Sequence, residues 1–269
     1  MQSVFMSRQI EDYRKPSILS IAGLDPSGCA GLLLDVRVIR ALGFHPCGVV
    51  TAITFQNTCS GYGFDEVSYP TLESQFRSVF EDELVMGVKL GLLTSKAAEA
   101  AFTFLRGGDF FSVWDPVFSS TTGLKFFENE YLRVTEKITA TVDIITPNVE
   151  EAELLSGIKI VDILSAERAA ERIYSRYGVQ TIITGGKLSG KDLIYDGKKT
   201  YTVEAEFSPV EIRGTGCVYS TALTCFLTRG EKIRDAARLA RLYLLESVKR
   251  AGLYGKCLPC SDPPPYYNI

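Results

Sequence analysis

The chain has 269 residues, 46% of them hydrophobic, and a formal net charge of −3. That is enough apolar chain for one large core or two small ones, so the composition predicts a soluble globular protein. No run of five or more basic residues is present to grip a phosphate backbone, and no stretch of 18 apolar residues to span a bilayer, so nucleic acid and membrane are excluded as main partners.

The first 16 residues, "MQSVFMSRQIEDYRKP", lack the continuous apolar segment and small-residue cleavage site of a signal peptide. They are read as an N-terminal extension, and the compartment expected is the cytoplasm. From there β-rich apolar runs alternate with helix-period segments. "SILSIAGL" reads as a strand, "GLLLDVRVIRALG" as a helix and "CGVVTAITF" as a strand, followed by the helix "TLESQFRSVFED". Next come the strand "MGVKLGLL", the helix "SKAAEAAFTFLRG", the strands "FFSVWDPV" and "TVDIITP" with a helix between them, and the helices "NVEEAELLSG" and "SAERAAERIYSRYG". The strand "VQTIITGG" leads to a hairpin, "KDLIYDGKKTYTVEAEF", turning at Asp196-Gly197, and two helices close the chain at 215–229 and 231–250. Such alternation means βαβ units, hence an α/β fold with a mostly parallel sheet and helices on both faces. With no internal repeat or linker, one domain over 17–255 and a Pro-rich tail over 256–269 is the simplest division.

Seven scattered cysteines, an odd number in a chain of this size, do not resemble the framework of a small disulfide-stapled domain and are read as mostly reduced. Cys257 and Cys260 form a Cys-x-x-Cys, but no second pair or histidine cluster completes four zinc ligands. Cys225 reads as core.

In open parallel sheets ligands bind beyond the carboxyl ends of the strands. There the first strand offers "AGLDPSGCAG", with Gly23, Gly28 and Gly31 admitting close backbone approach and Asp25 and Asp35 supplying carboxylates; a plain strand-to-helix turn with a serine cap fits the same residues. The next strand ends in Gln56 and Asn57, whose amides suit the edge of a heterocyclic base. "WDPV" and "TPNVEE" add Asp115, Asn148, Glu150 and Glu151, carboxylates of the kind a hydrated magnesium ion takes one or two at a time. In "RGTGCVYS" the glycines make an unobstructed turn into a helix whose first amides, Gly214 to Cys217, form an anion site. At that helix start, and near a bound cation, the Cys217 thiolate is expected to be favoured.

Taken together, "IAGLDPSGCAGLLLD", "VVTAITFQNT", "VKLGLL", "WDPVF", "ITPNVEEAELL" and "RGTGC" occur in the order and rough spacing of the hydroxymethylpyrimidine/phosphomethylpyrimidine kinases of thiamin biosynthesis, which the chain resembles over about 17 to 250. The resemblance implies a ribokinase-like three-layer sandwich and magnesium- and ATP-dependent phosphorylation of the hydroxymethyl arm of 4-amino-5-hydroxymethyl-2-methylpyrimidine and then of its monophosphate. It implies that Gly23, Asp35, Gln56, Leu92 and Val117 hold the pyrimidine. Asp115, Asn148, Glu151, Thr184 and Lys187 would surround the nucleotide phosphates, with Asp115 and Glu151 toward the metal. Cys217 would stand where sugar kinases carry an aspartate base, beside an anion hole of Gly214, Thr215 and Gly216. A homodimer is expected, with "CSGYGFDEVSYP" as a cover or contact element carrying Tyr62, Phe64 and Tyr69.

The chain departs from the family pattern at four positions. Thr184 replaces a lysine, Arg213 a histidine, Leu92 a methionine and Cys29 a glycine. Arg213 or Lys187 is expected to restore the positive charge that Thr184 does not supply. Two alternatives stay open, a pyridoxal-type kinase and a pyrimidine-binding regulator without turnover. A cysteine hydrolase is disfavoured, because the only histidine, His45, lies in a helix-to-strand connection away from Cys217.

Overall fold

The computed structural model describes residues 15–119, 123, 126, 131–185, 188, 190–204 and 211–265. Most of the N-terminal extension, Lys187 and the last four residues of the tail lie outside the described residues.

In chain order the elements are β1 (Ser17–Leu24), α1 (Gly31–Ala41), β2 (His45–Gln56), β3 (Gly61–Glu66), α2 (Tyr69–Phe80), β4 (Val85–Leu90), α3 (Ser95–Leu105) and β5 (Phe111–Trp114). They continue with α4 (Tyr131–Thr139), β6 (Ile144–Ile145), α5 (Val149–Ser156), α6 (Ile163–Tyr177), β7 (Gln180–Ile183), β8 (Lys191–Tyr195), β9 (Thr200–Glu204), α7 (Thr215–Thr228) and α8 (Ile233–Lys249). One sheet runs β3-β2-β1-β4-β5-β6-β7-β8-β9. Its six central strands are parallel, while β3 at one edge and the hairpin β8-β9 at the other pair antiparallel.

Strand pleating divides the core in two, because successive side chains leave a strand on opposite faces. Ile18, Val113, Ile144 and Ile182 join α1, α7 and α8 in one layer. Their neighbours Leu19, Trp114, Ile145 and Ile183 join α2 to α6 in the other. Truncating one such leucine or isoleucine to alanine costs about 2–5 kcal/mol. The segment read as a cover element is the edge strand β3, where Gly61 and Gly63 break the apolar alternation that marks a strand in sequence. Of its three aromatics only Tyr62 is exposed; Phe64 stacks edge-on to Phe126, and Tyr69 packs on the core.

Chain order reverses direction between β1 and β4: the first crossover places β2 on one side of β1 and the later strands lie on the other. The ends of those two strands open the crevice in which open α/β sheets bind ligands. Helices α2, α3, α5 and α6 begin with side-chain caps, from Ser68, Thr94, Asn148 and Asp162. Helices α1, α7 and α8 begin at Ala30, Gly214 and Lys232 with no side-chain cap bond, and the first two of these starts lie at the crevice.

The cysteines correct the sequence reading. Cys29 is bonded to Cys260 and Cys59 to Cys257, leaving Cys47, Cys217 and Cys225 free. Spacing along the chain does not reveal this, because the partners are 231 and 198 residues apart. The two cysteines of the Cys-x-x-Cys go to different loops, one at the end of β1 and one after β2. Backbone bonds reinforce them: Arg213 N donates to Pro259 O, Ser261 N to Arg213 O and Leu258 N to Thr58 O.

Candidate active site

A cavity of about 700 Å³ opens along the carboxyl ends of the strands, from Thr54 and Gln56 on β2 to Thr184 after β7. Its floor is the start of α7. Gly214 has φ +82°, and a Cβ there would lie 2.2 Å from the Cys29 carbonyl oxygen, so the turn requires glycine. The bend brings Thr215, Gly216 and Cys217 to the cavity wall, where Ala30 and Gly31 at the start of α1 join them. Two uncapped helix starts therefore face one space, a donor-rich arrangement for an anion.

Behind that floor lies Lys89, a lysine within the buried strand β4. It is fully buried, and its Nζ is 2.9 Å from Asp35 Oδ2. Asp35 is saturated: Oδ2 also accepts from Ser20 Oγ at 2.6 Å, and Oδ1 accepts from Thr221 Oγ1 at 2.9 Å. Burial works against the Lys89 charge, but Asp35, Cys217 and Asp115 outweigh it and raise the ammonium above its ordinary value. Asp35 thus does not line the cavity. The expectation that it holds the substrate is corrected: its carboxylate ties β1, β4, α1 and α7 together and anchors Lys89, which does line the cavity. In the sequence Lys89 stands only as one letter of "VKLGLL". A lysine inside an otherwise apolar parallel strand was the available signal, since an unpaired charge is not tolerated there.

Cys217 is partly exposed in the cavity and receives the Gly31 amide. Burial of its sulfur, helped by the charges of Asp35 and Asp115 and opposed by Lys89, pushes its pKa up to about 12. The expected thiolate is therefore a thiol in the free protein, because the helix start and Lys89 are outweighed by desolvation and two nearby carboxylates.

Asp115 follows β5 and lies close to the α7 start: a Cβ on Gly216 would sit 3.5 Å from Asp115 Oδ2. The same oxygen accepts from Ser220 Oγ at 3.2 Å, and burial, with Asp35, raises the Asp115 pKa against the pull of Lys89. Glu151 and Asn148 form a reciprocal capping box on α5, each accepting the other's backbone N–H at 2.9 Å. Burial and the Asp115 charge push Glu151 up to about 8, against the N–H groups of Asn148 and Phe118. Two buried carboxylates that resist ionisation side by side are a donor set that a divalent cation would relieve, and the oxygen-only chemistry fits magnesium.

At the β1-β2 end, Arg213 is buried, with its side chain 1% exposed. Its Nη2 donates to Asp25 Oδ2 at 3.0 Å and to Gln56 Oε1 at 3.2 Å, and its Nη1 donates to the Asn57 carbonyl. A guanidinium only donates, so the Gln56 oxygen must face it, which turns the Gln56 amide nitrogen to Thr54 Oγ1 at 3.0 Å. This placement commits the Arg213 guanidinium to Asp25, Gln56 and the Asn57 carbonyl, away from Thr184, where Arg213 or Lys187 was expected to restore the charge of a lysine. Asp25 follows β1 and Gln56 ends β2, whereas Thr184 follows β7, four strand spacings from β1 or roughly 19 Å. The described cation near Thr184 is Arg241 of α8, for which the sequence offered no local motif. It is paired with Asp192, lines the cavity and is lowered by burial to about 10. Asp192 Oδ1 also accepts the Gly185 amide at 2.7 Å, fixing the turn after Thr184.

Gly23, Leu92, Val117 and Asn148 also line the cavity, whereas Gly28, Asn57 and Asp35 do not and Lys187 lies outside the described residues.

A family model described as phosphomethylpyrimidine kinase matches residues 25–258. The hydroxymethylpyrimidine/phosphomethylpyrimidine kinase of Aquifex aeolicus (strain VF5) is 35% identical over 252 residues, covering 88% of this chain and 96% of its own. The crystal structure of phosphomethylpyrimidine kinase from Clostridium difficile 630 superposes with a TM-score of 0.76 at 28% identity, covering 87% of this chain and 100% of that one. An ADP complex of Bacillus subtilis pyridoxal kinase superposes with a TM-score of 0.83 at 25% identity, covering 93% and 97%.

Proposed function

Because the chain belongs to the phosphomethylpyrimidine kinase family, with its ribokinase-like α/β fold, we propose that it transfers the γ-phosphoryl group of ATP to 4-amino-5-hydroxymethyl-2-methylpyrimidine and then to its monophosphate. The observation that carries this reading is the convergence of Cys217, the Lys89 ammonium and two uncapped helix starts in the middle of one cavity. A ring lodged against Gln56, Leu92 and Val117 sends its hydroxymethyl arm toward Cys217, and a nucleotide from the Thr184 side brings its terminal phosphate to the same point.

Phosphoryl transfer asks chiefly for alignment and charge stabilisation. The amides of Thr215, Gly216 and Cys217 bind the equatorial oxygens, and Lys89 adds a fixed positive charge. The hydroxyl oxygen forms the new bond to phosphorus as the ADP oxygen leaves. Cys217 holds the hydroxyl and, after its own S–H proton has passed to solvent, takes the hydroxyl proton as a thiolate, a contribution on the order of 10²-fold. Asp115 and Glu151 would hold magnesium, which would neutralise phosphate charge. A homodimer is part of this reading, supported by Ile53 and Phe55 of β2 and Tyr62 of β3, which stand outward near one edge of the sheet. A cytoplasmic location goes with it; among the described residues no helix is long and apolar enough to cross a membrane.

The likeness to pyridoxal kinase keeps a second substrate in play. Purified chain with ATP and magnesium, offered the pyrimidine alcohol, its monophosphate and pyridoxal, tests both. ADP formation with both pyrimidines is expected. Turnover of pyridoxal alone would replace the substrate, and nucleotide binding without turnover of any of the three would leave a binding protein.

A further inference from the structure

Away from the cavity, at the amino ends of the central strands, three ligands of different chemistry meet. His45 and Cys47 are alternate residues at the start of β2 and share a face. Glu83 precedes β4. Between β2 and β4 runs β1, whose first residue, Ser17, pairs with His45 on one side and Val85 on the other. A short side chain at Ser17 lets the flanking groups reach across it. The Ser17 hydroxyl also donates to Glu83 Oε2 at 2.7 Å, which leaves Oε1 directed at His45 Nε2, 3.8 Å away. The ligand atoms of His45, Cys47 and Glu83 all lie within 4.8 Å of one another. Cys47 is in neither disulfide.

Tetrahedral zinc, with bonds of about 2.3 Å to sulfur and about 2.0–2.1 Å to nitrogen and oxygen, holds its ligand atoms roughly 3.3–3.7 Å apart. Side-chain rotations of about 1 Å close the observed triangle to that size. A thiolate and a carboxylate balance a divalent charge, the imidazole binds neutral, and a sulfur ligand selects a zinc-like ion over magnesium or calcium. Ser17 is the outer partner that holds the carboxylate in place. With three protein ligands and the His45 side chain 56% exposed, a fourth position faces water.

We propose that His45, Cys47 and Glu83 form a zinc-type site that clips the start of β2 to the turn before β4 across β1. On binding, the Cys47 S–H gives its proton to solvent and a metal–sulfur bond forms, with no change of oxidation state. The site is independent of the kinase reading.

The test is titration of the purified full chain, disulfides intact, with zinc by calorimetry and with cobalt(II) by absorption. One saturable equivalent per chain is expected, with a near-ultraviolet thiolate-to-cobalt band and the visible bands of tetrahedral cobalt. Cys47→Ser removes the ultraviolet band while kinase turnover is unchanged. His45→Ala and Glu83→Gln weaken binding, Ser17→Ala weakens it by roughly tenfold or more, and Cys217→Ser leaves the band in place. Zinc raises the unfolding temperature of the wild type and not of Cys47→Ser. Absence of saturable binding, a band that survives Cys47→Ser, or full affinity in both His45→Ala and Glu83→Gln overturns the proposal. Since His45 is exposed, its variant keeps the test decisive if a buried substitution fails to fold.

Discussion

Lys89 and Asp35 form an ion pair 2.9 Å long with both side chains fully buried. The pair explains how a carboxylate that never reaches the cavity still governs it: Asp35 holds the ammonium whose charge reaches Cys217 and Asp115. Asp35→Asn should destabilise the fold by about 3–5 kcal/mol, because Lys89 is left buried without its main partner. Turnover should fall while KM for the pyrimidine stays close to wild type. Thermal unfolding and steady-state kinetics check this; a large rise in KM with stability intact would mean that Asp35 touches the ring after all.

The Arg213–Asp25 pair makes the parallel case at the substrate end. Arg213→Met keeps most of the side-chain volume but leaves Asp25 buried and uncompensated, at a cost of about 3–5 kcal/mol. It also removes the donor that faces the Gln56 oxygen. A rise in KM for the pyrimidine of about tenfold is expected from the absence of one hydrogen bond, with KM for ATP unchanged. If KM for ATP rises instead, Arg213 serves the phosphate as its position beside the Gly-Thr-Gly turn suggested.

The central parallel strands and much of the cavity wall were legible in the sequence because each rests on a local signal: apolar runs, turn glycines and polar residues just beyond strand ends. What was hidden depends on contacts between distant segments. Asp35 reads as a site carboxylate until Lys89 is placed against it. Cys29 and Arg213, two of the departures from the family pattern, acquire a common explanation only when the tail folds back: Cys29 is bonded to Cys260, and the Arg213 backbone pairs with Pro259 and Ser261. The short β6 and the glycine-broken β3 were hard to bound because neither offers enough alternating residues.

Glu151, pushed up to about 8, makes stability depend on pH. In the unfolded chain this carboxyl ionises near its ordinary value, so between roughly pH 4.5 and 8 the folded state holds one proton more. Its contribution is therefore complete in acid and lost as pH rises through the folded pKa. Glu151→Gln keeps the capping acceptor and removes the titration. It should gain on the order of 2–4 kcal/mol over wild type at pH 9, and little at pH 5, in metal-free buffer. Denaturant unfolding at the two pH values measures it; an equal difference at both would place the proton elsewhere. The same variant should weaken the response to magnesium.

Both disulfides tie the tail to loops at the pyrimidine end, so reduction should act on stability and on that end of the cavity. Breaking cross-links between residues about 200 apart removes a constraint worth about 2–5 kcal/mol each. Thiol titration after denaturation should find three free cysteines in the oxidised chain and seven after reduction. Reduced protein, or Cys257→Ser with Cys260→Ser, should unfold at a lower temperature and show a raised KM for the pyrimidine. Identical melting before and after reduction would show that the tail is held by its backbone bonds alone.

Cys217 combines a reactive position with an unreactive state. Held up to about 12, its thiol is almost wholly protonated at pH 7 to 9, so alkylation in a Cys47→Ser background should be slow and should accelerate about tenfold per pH unit across that range. Cys225 does not compete, being fully buried. Cys217→Ser replaces the sulfur with a hydroxyl that still donates a hydrogen bond but ionises even less readily. Turnover should therefore fall on the order of 10²-fold, the part contributed by a base, while ATP affinity is retained because the amides of the α7 start are untouched. If the serine variant turns over like the wild type, positioning and the amides supply all of the catalysis and no proton passes to residue 217. If alkylation is already fast and independent of pH at 7, the carboxylates of Asp35 and Asp115 do not control the sulfur, and the thiolate expected at a helix start prevails.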